Sequence, residues 1–144
     1  MKTHLHLSTQ NLDASVAFYR TWLDSEPAKR HDDYVLFLTD DPGLELALSL
    51  DPQRKPVTGV HFGIAVDTPD TVDGAIARLR SAGIPVDIET GETCCYATQN
   101  KVWATDPDGR RWETYYVIAE AEERQSEEMS CCQEPGGEAA ACCP

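Results

Sequence analysis

Two segments of the chain show the spacing of apolar residues that predicts amphipathic helices. Apolar side chains recur every three or four positions in residues 12–23 and again in residues 72–79, as on one face of a helix. Asn11, a favoured N-cap residue, stands directly before the first segment. Thr68 and Pro69 stand before the second, and proline is well suited to a first helical turn. Both predicted helices therefore have a defined start.

Strand-like segments surround each predicted helix. One short strand precedes it and three strands follow it, with the turn sequences of residues 40–43 and 106–109 before the last strand of each set. The predicted strands after the helices are Pro27–His31, Tyr34–Thr39, Leu44–Leu50, Val86–Glu89, Thr93–Ala104 and Arg111–Ile118. Each half of the chain therefore predicts the order strand, helix and three strands.

An internal repeat relates the two halves. Residues 4–12 align with residues 61–69, and each copy runs into a helix. The predicted fold class is therefore α+β, with two tandem βαβββ modules that form a curved mixed sheet around a metal cavity. This domain spans residues 1–118, with modules at about 1–52 and 58–118.

The last residues of the chain differ from the rest in composition. Residues 119–144 hold seven Glu and one Arg, a net charge of −6, which leaves −7 of the total of −13 for the remainder. Such an acidic stretch with few apolar residues predicts a disordered tail. It is either an inert solubilising extension or a carrier of metal-binding cysteines.

The overall acidity excludes some classes of partner. Nucleic-acid binding requires clustered Lys and Arg to meet the phosphates, and the chain has 12 Lys and Arg against 25 Asp and Glu. The sequence shows no charged-then-apolar leader and no apolar run that is long enough to span a bilayer. We therefore expect a cytoplasmic protein with reduced thiols, no nucleic-acid partner and no membrane partner.

Two histidines occupy equivalent positions in the repeat. His4 of the first copy aligns with His61 of the second, and alternation along a strand places both on the face turned away from the helices. A single histidine is more often structural than a ligand, but a repeat-related pair on one face favours a metal site. His6 shares the face of His4 and competes with it for this role.

Glu113 is a candidate third ligand. It lies in mid-strand among aromatic residues, where a carboxylate is costly to bury unless it is paired or bound to a metal. A salt bridge with a neighbouring Arg is the alternative. Two imidazoles, His4 and His61, with one carboxylate form the facial triad that suits Fe(II) and oxygen chemistry. The matching stretch of the first half, near Ala47 or Leu48, supplies no fourth ligand.

All six cysteines occur as adjacent pairs, which are Cys94 and Cys95, Cys131 and Cys132, and Cys142 and Cys143. A disulfide between adjacent residues closes a strained ring, whereas neighbouring thiolates chelate soft ions. The first pair is therefore predicted to capture a metal or metalloid, and the tail pairs to add auxiliary soft-metal capture. Because side chains alternate along a strand, the first pair must lie in a turn or irregular loop, for which Thr90–Thr93 provides freedom.

With these residues the chain resembles the vicinal oxygen chelate superfamily, which includes glyoxalase I, extradiol dioxygenases, bleomycin-binding proteins and fosfomycin-resistance enzymes. The resemblance covers nearly all of residues 1–118. It is carried by His4 before Asn11–Tyr19, by His61, and by Asp106–Gly109 before Glu113.

A narrower resemblance is carried by residues 94–103 and 112–113, followed by the cysteine-bearing tail. These stretches are similar to the ArsI/CadI branch, which contains Fe(II)-dependent dioxygenases that cleave the carbon–arsenic bond of trivalent organoarsenicals, and cadmium-induced proteins. The resemblance implies an arsenic-resistance enzyme whose partners are dioxygen and an organoarsenical such as methylarsonous acid, with arsenite as the product.

The same resemblance assigns the site residues. It implies a catalytic Fe(II) at His4, His61 and Glu113, and trivalent arsenic held by Cys94 and Cys95. Some members of the branch have Gln at the first ligand position, where this chain has His4.

Three readings of the function follow. The dioxygenase is the first, and within it Gln99 and Lys101 are candidates for orienting the loop that carries the arsenical. The second is a protein that sequesters Cd(II) or As(III) at its cysteine pairs without catalysis. The third is another glyoxalase-like metalloenzyme that uses a different divalent metal.

Overall fold

The computed structural model describes residues 1–55 and 59–122. This part of the chain has eight strands and two helices, and strand, helix and three strands follow one another twice. The elements are β1 (Thr3–Thr9), α1 (Leu12–Leu23), β2 (Lys29–Arg30), β3 (Tyr34–Thr39), β4 (Leu44–Leu50), β5 (His61–Ala65), α2 (Pro69–Ser81), β6 (Val86–Cys94), β7 (Ala97–Thr105) and β8 (Arg111–Glu120). The two βαβββ modules expected from the sequence are confirmed.

Each module forms a four-stranded sheet of its own. The strand orders are β1-β4-β3-β2 and β5-β8-β7-β6. In each sheet the first and last strands of the module pair in parallel, and the other pairs are antiparallel. The α+β class with mixed sheets is therefore as predicted, and the two sheets take the place of one shared curved sheet.

Local sequence signals define the helix ends. The side chain of Asn11 accepts a hydrogen bond from the backbone N–H of Ala14 at 3.0 Å, which confirms the N-cap of α1. Pro69 is the first residue of α2, as predicted. Thr68 does not cap this helix through its side chain, since its hydroxyl lies 3.0 Å from that of Thr71.

Both modules contribute to one hydrophobic core. The two helices cover the inner faces of the sheets, and Leu7, Val35, Phe37, Leu46, Leu48, Val72, Leu79 and Val102 are among the buried residues. Trp112 of β8 packs against α1 of the other module, with ring centroids 5.6 Å from Tyr19 and 4.5 Å from Trp22. The modules are therefore joined by aromatic packing.

A buried network of charges also joins the modules. Asp106 accepts hydrogen bonds from the hydroxyl of Tyr19 at 2.7 Å and from the guanidinium of Arg110 at 2.9 Å. Arg110 donates in addition to the carbonyl of Ser8, at the end of β1. The pKa of Tyr19 is raised well above its ordinary value, mainly by burial and to a smaller extent by the charge of Asp106. The tyrosine therefore remains a donor at physiological pH.

Asp108 extends this network to the loop after β4. Its carboxylate accepts from the backbone N–H of Gln10 at 3.0 Å and lies 3.1 Å from Nη1 of Arg54. Burial raises the pKa of Asp108, but hydrogen bonds from Thr9, Gln10 and Arg54 outweigh it, so that the pKa lies below its ordinary value. Two segments of the first module thus converge on one carboxylate of the second.

Strand β8 runs two residues further than predicted, to Glu120. The N–H of Ala121 then donates to the carbonyl of Tyr96 at 2.7 Å. The start of the predicted tail is therefore paired with β7. Its four cysteines, Cys131, Cys132, Cys142 and Cys143, lie outside the described residues. Neither α1 nor α2, the helices of the described ranges, is long and apolar enough to cross a bilayer.

Asp108→Asn should lower the free energy of unfolding at pH 7 by about 2 kcal/mol, because charge-assisted hydrogen bonds between the modules are weakened. The folded-state pKa of Asp108 is lowered from 3.8. Its contribution is therefore complete above that value and is lost as the pH falls through the folded-state pKa. Urea unfolding of the parent and of Asp108→Asn at pH 7, 5 and 3 should show a difference in the free energy of unfolding that becomes smaller only at pH 3.

Asp73→Asn is the matched control, because Asp73 is exposed on α2. Its unfolding free energy should stay close to that of the parent at all three pH values. A difference for Asp108→Asn that is equally large at pH 3 would contradict the role of the ionised carboxylate.

Candidate functional site

Glu113 lies on the face of the second sheet that points away from the hydrophobic core, which is called the open face below. The parallel register of β5 and β8 decides which residue lies beside it. Gly63 lies opposite Glu113, and a Cβ atom added at Gly63 would lie 2.8 Å from Cγ and 2.9 Å from Oε1 of that glutamate. Only a residue without a side chain therefore lets the carboxylate lie across β5. This requirement gives Gly63 a specific role in the site.

Glu113 is buried beside His61. Nε2 of His61 lies 3.8 Å from Oε1 of the carboxylate, and Glu113 is 8% exposed. The other oxygen, Oε2, lies 3.1 Å from Nζ of Lys101 but makes no hydrogen bond within the described residues. The alternative expected from the sequence was a pair with an Arg, whereas the cation that the structure places at this carboxylate is Lys101.

Aromatic rings surround the ammonium group of Lys101. Nζ lies 5.4 Å from the ring centroid of Trp103 and 6.0 Å from that of Tyr115. The indole of Trp103 in turn contacts the ring of His61 edge-on at 5.3 Å and donates a hydrogen bond to Glu89 at 3.0 Å. The open face of the second sheet is therefore a continuous polar and aromatic surface.

Three members of this surface, Trp103, Tyr115 and Glu89, were not predicted as site residues. The signal that identifies Tyr115 is its period-two spacing from Glu113 along β8. Trp103 and Glu89 lie on other strands, and their placement depends on the register of β6, β7 and β8. A strand register between distant segments is not readable from one sequence.

The first sheet holds the remaining candidate histidines. Nδ1 of His4 lies 3.4 Å from a carboxylate oxygen of Glu45, and Nε2 of His6 lies 2.8 Å from the hydroxyl of Ser49. In the register of β1 and β4, His6 lies opposite Ala47, as Gly63 lies opposite Glu113. Ala47 is thus the counterpart of the glutamate, which confirms that the first module has no equivalent carboxylate.

The structure brings two of the three predicted ligands together. His61 and Glu113 are neighbours on the second sheet, while His4 lies on the first. Among residues 1–55 and 59–122, no group of three or more His, Cys, Asp or Glu side chains is close enough to hold a metal ion. The participation of His4 therefore stays a prediction.

The chemistry of the assembled pair fits the metal that the resemblance implies. An imidazole nitrogen and a carboxylate oxygen are donors suited to Fe(II). Oε2 of Glu113 makes no hydrogen bond within the described residues, although Nζ of Lys101 lies 3.1 Å away, so the carboxylate keeps lone pairs for a metal ion. His61 and Glu113 together offer such an ion one nitrogen donor and one oxygen donor.

The first cysteine pair lies at a tight hairpin turn. Strand β6 ends at Cys94 and β7 begins at Ala97, so that Cys95 and Tyr96 form a two-residue connection. Both have left-handed backbones, with φ of 55° and 67°. Asn and Gly usually occupy such turns, and other residues there store about 1–3 kcal/mol of strain each. The predicted turn is present.

The source of the turn differs from the prediction. Residues Thr90–Thr93 belong to β6, and the change of direction comes from Cys95 and Tyr96 themselves. Gly91, with φ of 66°, is instead the extra residue at a shift in the register between β6 and β7.

The turn directs both thiols to the same side. The sulfur atoms of Cys94 and Cys95 are 3.2 Å apart, well beyond the S–S bond of about 2.05 Å. A metal–thiolate bond is about 2.3 Å long for zinc, so both sulfurs can reach one soft atom placed between them. Cys94 is buried and Cys95 is exposed, which leaves this chelating pair open to solvent on one side.

The thiols and the carboxylate lie at different ends of the second sheet. Trp103 pairs with Glu113, and Ala97 pairs with Glu120. Six residues of β7 separate the two levels, which corresponds to about 20 Å in a straight strand. Register shifts at Gly91 in β6 and at Ile118 in β8 lie between them. These bulges bend the hairpin between the two candidate sites.

Comparisons with known proteins identify the family of the chain. The model of the Glyoxalase/Bleomycin resistance protein/Dioxygenase superfamily matches residues 3–114. The cadmium-induced protein CadI of Mycobacterium bovis is 42% identical over 121 residues, which cover 84% of this chain and 79% of that protein. The trivalent organoarsenical cleaving enzyme of Bacillus sp. strain MD1 is 39% identical over 142 residues, which cover 97% and 88%.

Solved structures share the fold. A glyoxalase/bleomycin resistance protein/dioxygenase from Alicyclobacillus acidocaldarius superposes with a TM-score of 0.69 at 22% identity, covering 83% of this chain and 92% of that one. The fosfomycin resistance protein FosX from Listeria monocytogenes superposes with a TM-score of 0.62 at 17% identity, covering 79% and 90%. The chain therefore belongs to the Glyoxalase/Bleomycin resistance protein/Dioxygenase superfamily.

Proposed function

We propose that this protein is an Fe(II)-dependent dioxygenase that cleaves the carbon–arsenic bond of trivalent organoarsenicals such as methylarsonous acid. The relatives named as organoarsenical cleaving enzymes support the substrate class. The proposed iron ligands are His4, His61 and Glu113, and the proposed arsenic-binding residues are Cys94 and Cys95. Release of arsenite inside the cytoplasm is the expected outcome.

One observation favours catalysis over simple capture. Glu113 is buried next to His61, with Lys101 at its other oxygen, and Gly63 is required for this placement. A protein that only holds soft ions at thiolates has no use for an imidazole and a buried carboxylate on a separate face. Lys101 offsets part of the cost of burying this carboxylate, and a role as a metal ligand explains why it is buried beside an imidazole.

The chain captures the substrate through its thiols. Two thiols of the hairpin replace the two hydroxyl groups of methylarsonous acid, so that two As–S bonds form, two As–O bonds break and two water molecules leave. The separation of 3.2 Å between the sulfur atoms allows one arsenic to bind both. The methyl group remains on arsenic, and no electron is transferred in this step.

When bound, Fe(II) would supply the activation of dioxygen that cleavage of the carbon–arsenic bond needs. The residues of the chain prepare that site. His61 and Glu113 offer one nitrogen and one oxygen donor on the same face. The indole of Trp103, which contacts the ring of His61, is 1% exposed and shields one side of the pair from water.

The hairpin must carry arsenic towards Glu113, because the two sites lie about 20 Å apart along a straight strand. The bulges at Gly91 and Ile118 are placed where the hairpin can bend over the open face. Two residues of β7, Gln99 and Lys101, lie between the thiols and Glu113 along the strand. Gln99 is 9% exposed. We assign both to the positioning of the loop and its arsenical.

Two other functions remain as alternatives. Sequestration of Cd(II) or As(III) without catalysis is favoured by the similarity to cadmium-induced proteins. A glyoxalase-like metalloenzyme with another divalent metal is favoured by the shared fold alone. Anaerobic reconstitution with Fe(II), followed by methylarsonous acid, air and arsenic speciation, separates them, because only the proposed enzyme converts the substrate to arsenite.

Cys94→Ser and Cys95→Ser should each abolish binding of methylarsonous acid and turnover while they retain iron, because a hydroxyl does not replace a soft thiolate. Glu113→Ala should show the opposite pattern, with iron lost, arsenical still bound and the fold retained. Iron content, arsenical binding and arsenite release are measured on the same preparations. Iron retained by Glu113→Ala, or parent-rate turnover by either serine variant, would contradict the assignment.

Gly63→Ala should weaken Fe(II) binding by about tenfold or more, because its Cβ displaces the side chain of Glu113. Overpacking of this kind costs about 1–3 kcal/mol of stability. Gly74→Ala is the matched control, since a Cβ at Gly74 has no atom within 4 Å and Ala is favoured in a helix. Parent-like iron affinity in Gly63→Ala, measured beside this control, would show that the carboxylate is not a ligand.

Removal of the residues after Glu122 tests the auxiliary capture proposed for Cys131, Cys132, Cys142 and Cys143. The cut leaves the paired end of β8 in place. Iron binding and turnover at saturating arsenical should be retained, whereas efficiency at scarce arsenical and the number of soft ions bound per chain should fall. Unchanged stoichiometry and efficiency would favour an inert extension.

A further inference from the structure

We propose that Lys101 is a resident counter-ion of Glu113 that a divalent metal displaces onto the rings of Trp103 and Tyr115, so that this lysine sets the metal affinity of the site. The inference rests on the proposed role of Glu113 as a metal ligand. It concerns a positioning residue, since Lys101 acts through the carboxylate.

The ammonium group lies at one oxygen of the carboxylate, and His61 lies near the other oxygen. Nζ of Lys101 lies 3.1 Å from Oε2 of Glu113, which is the oxygen that makes no hydrogen bond. Both side chains are shielded from solvent, with exposed fractions of 4% and 11%. The attraction is therefore one of charge, and a divalent cation bound to the same carboxylate would bring a second, larger positive charge close to the ammonium.

A metal ion and the ammonium repel each other when both lie against this carboxylate, and water screens the repulsion little because the surroundings are shielded. The lysine has an alternative position close at hand. Its Nζ already lies 5.4 Å and 6.0 Å from the ring centroids of Trp103 and Tyr115, distances at which an aromatic face attracts a cation. A small rotation of the flexible side chain exchanges the carboxylate for these faces.

This arrangement has two consequences. In the absence of metal, Lys101 keeps the carboxylate paired and directed across Gly63. In the presence of metal, the free energy needed to move the ammonium away from Glu113 reduces the free energy of metal binding. A neutral side chain at position 101 should therefore tighten metal binding, which is the reverse of the effect expected when a supporting residue is damaged.

The test is a titration of the full-length, metal-free protein with Mn(II), followed by the electron paramagnetic resonance signal of the free ion. Mn(II) prefers oxygen and nitrogen donors to thiolates, so the cysteine pairs interfere little. Lys101→Met and Lys101→Gln should each bind Mn(II) at least about tenfold more tightly than the parent. Lys101→Arg, which keeps the charge, and Lys29→Met, a control at an exposed strand position, should stay within about twofold.

Equal or weaker Mn(II) binding in both neutral variants would overturn the proposal. Failure of both variants to fold would also overturn it, because a counter-ion that a metal displaces must be dispensable for folding. Glu113→Gln, titrated in parallel, separates this result from the proposed function. If Glu113→Gln leaves Mn(II) binding unchanged, the metal site itself is misassigned. If it abolishes binding while Lys101→Met has no effect, only the role of Lys101 is wrong.

Discussion

The buried ionic network around Asp106 and Arg110 is the constraint on which the arrangement of this molecule depends. Arg110 is 4% exposed and bonds both Asp106 and the end of β1. A buried charge that loses its partner costs about 3–5 kcal/mol, so the start of β8 is held firmly against the first module. Tyr19, whose hydroxyl donates to Asp106 and accepts from Trp112, connects this network to the aromatic core. Glu113 follows directly along the same strand, and its position is therefore fixed by the network.

The second sheet uses its two faces for different purposes. One face carries apolar residues into the core, where Trp112 packs against Phe62 with centroids 4.7 Å apart. The other face carries His61 and Glu113, whose register with β5 requires a glycine at position 63. A carboxylate is buried there at the expense of its hydration, and Lys101 offsets part of that cost. The same strands thus provide a rigid core and a reactive face that is fixed in geometry.

Much of this fold follows from local sequence signals. The capping by Asn11, the start of α2 at Pro69 and the repeat of two βαβββ modules were predicted, because helix ends and side-chain periodicity depend on neighbouring residues. The repeat also pointed to His61 and Glu113, which the structure brings together. The counter-ion was not predicted, since the contact of Lys101 depends on the pairing of β7 with β8. The separation of His4 from the other two candidates depends on how whole sheets pack, which no local pattern encodes.

The distance between the proposed capture site and the proposed iron site is a further physical constraint on the molecule. Thiolates beside iron would bind the metal themselves, since soft donors also take first-row transition metals. A separation of about 20 Å along the strands would keep the proposed thiolate site clear of the proposed iron site. The cost is that the hairpin has to bend, and the chain has features for bending there: a left-handed turn at Cys95 and Tyr96, and bulges at Gly91 and Ile118. Strain at the turn and irregular pairing below it both lower the cost of leaving the resting position. The proposed capture of arsenic at the tip of the hairpin is therefore compatible with the proposed cleavage chemistry at its base.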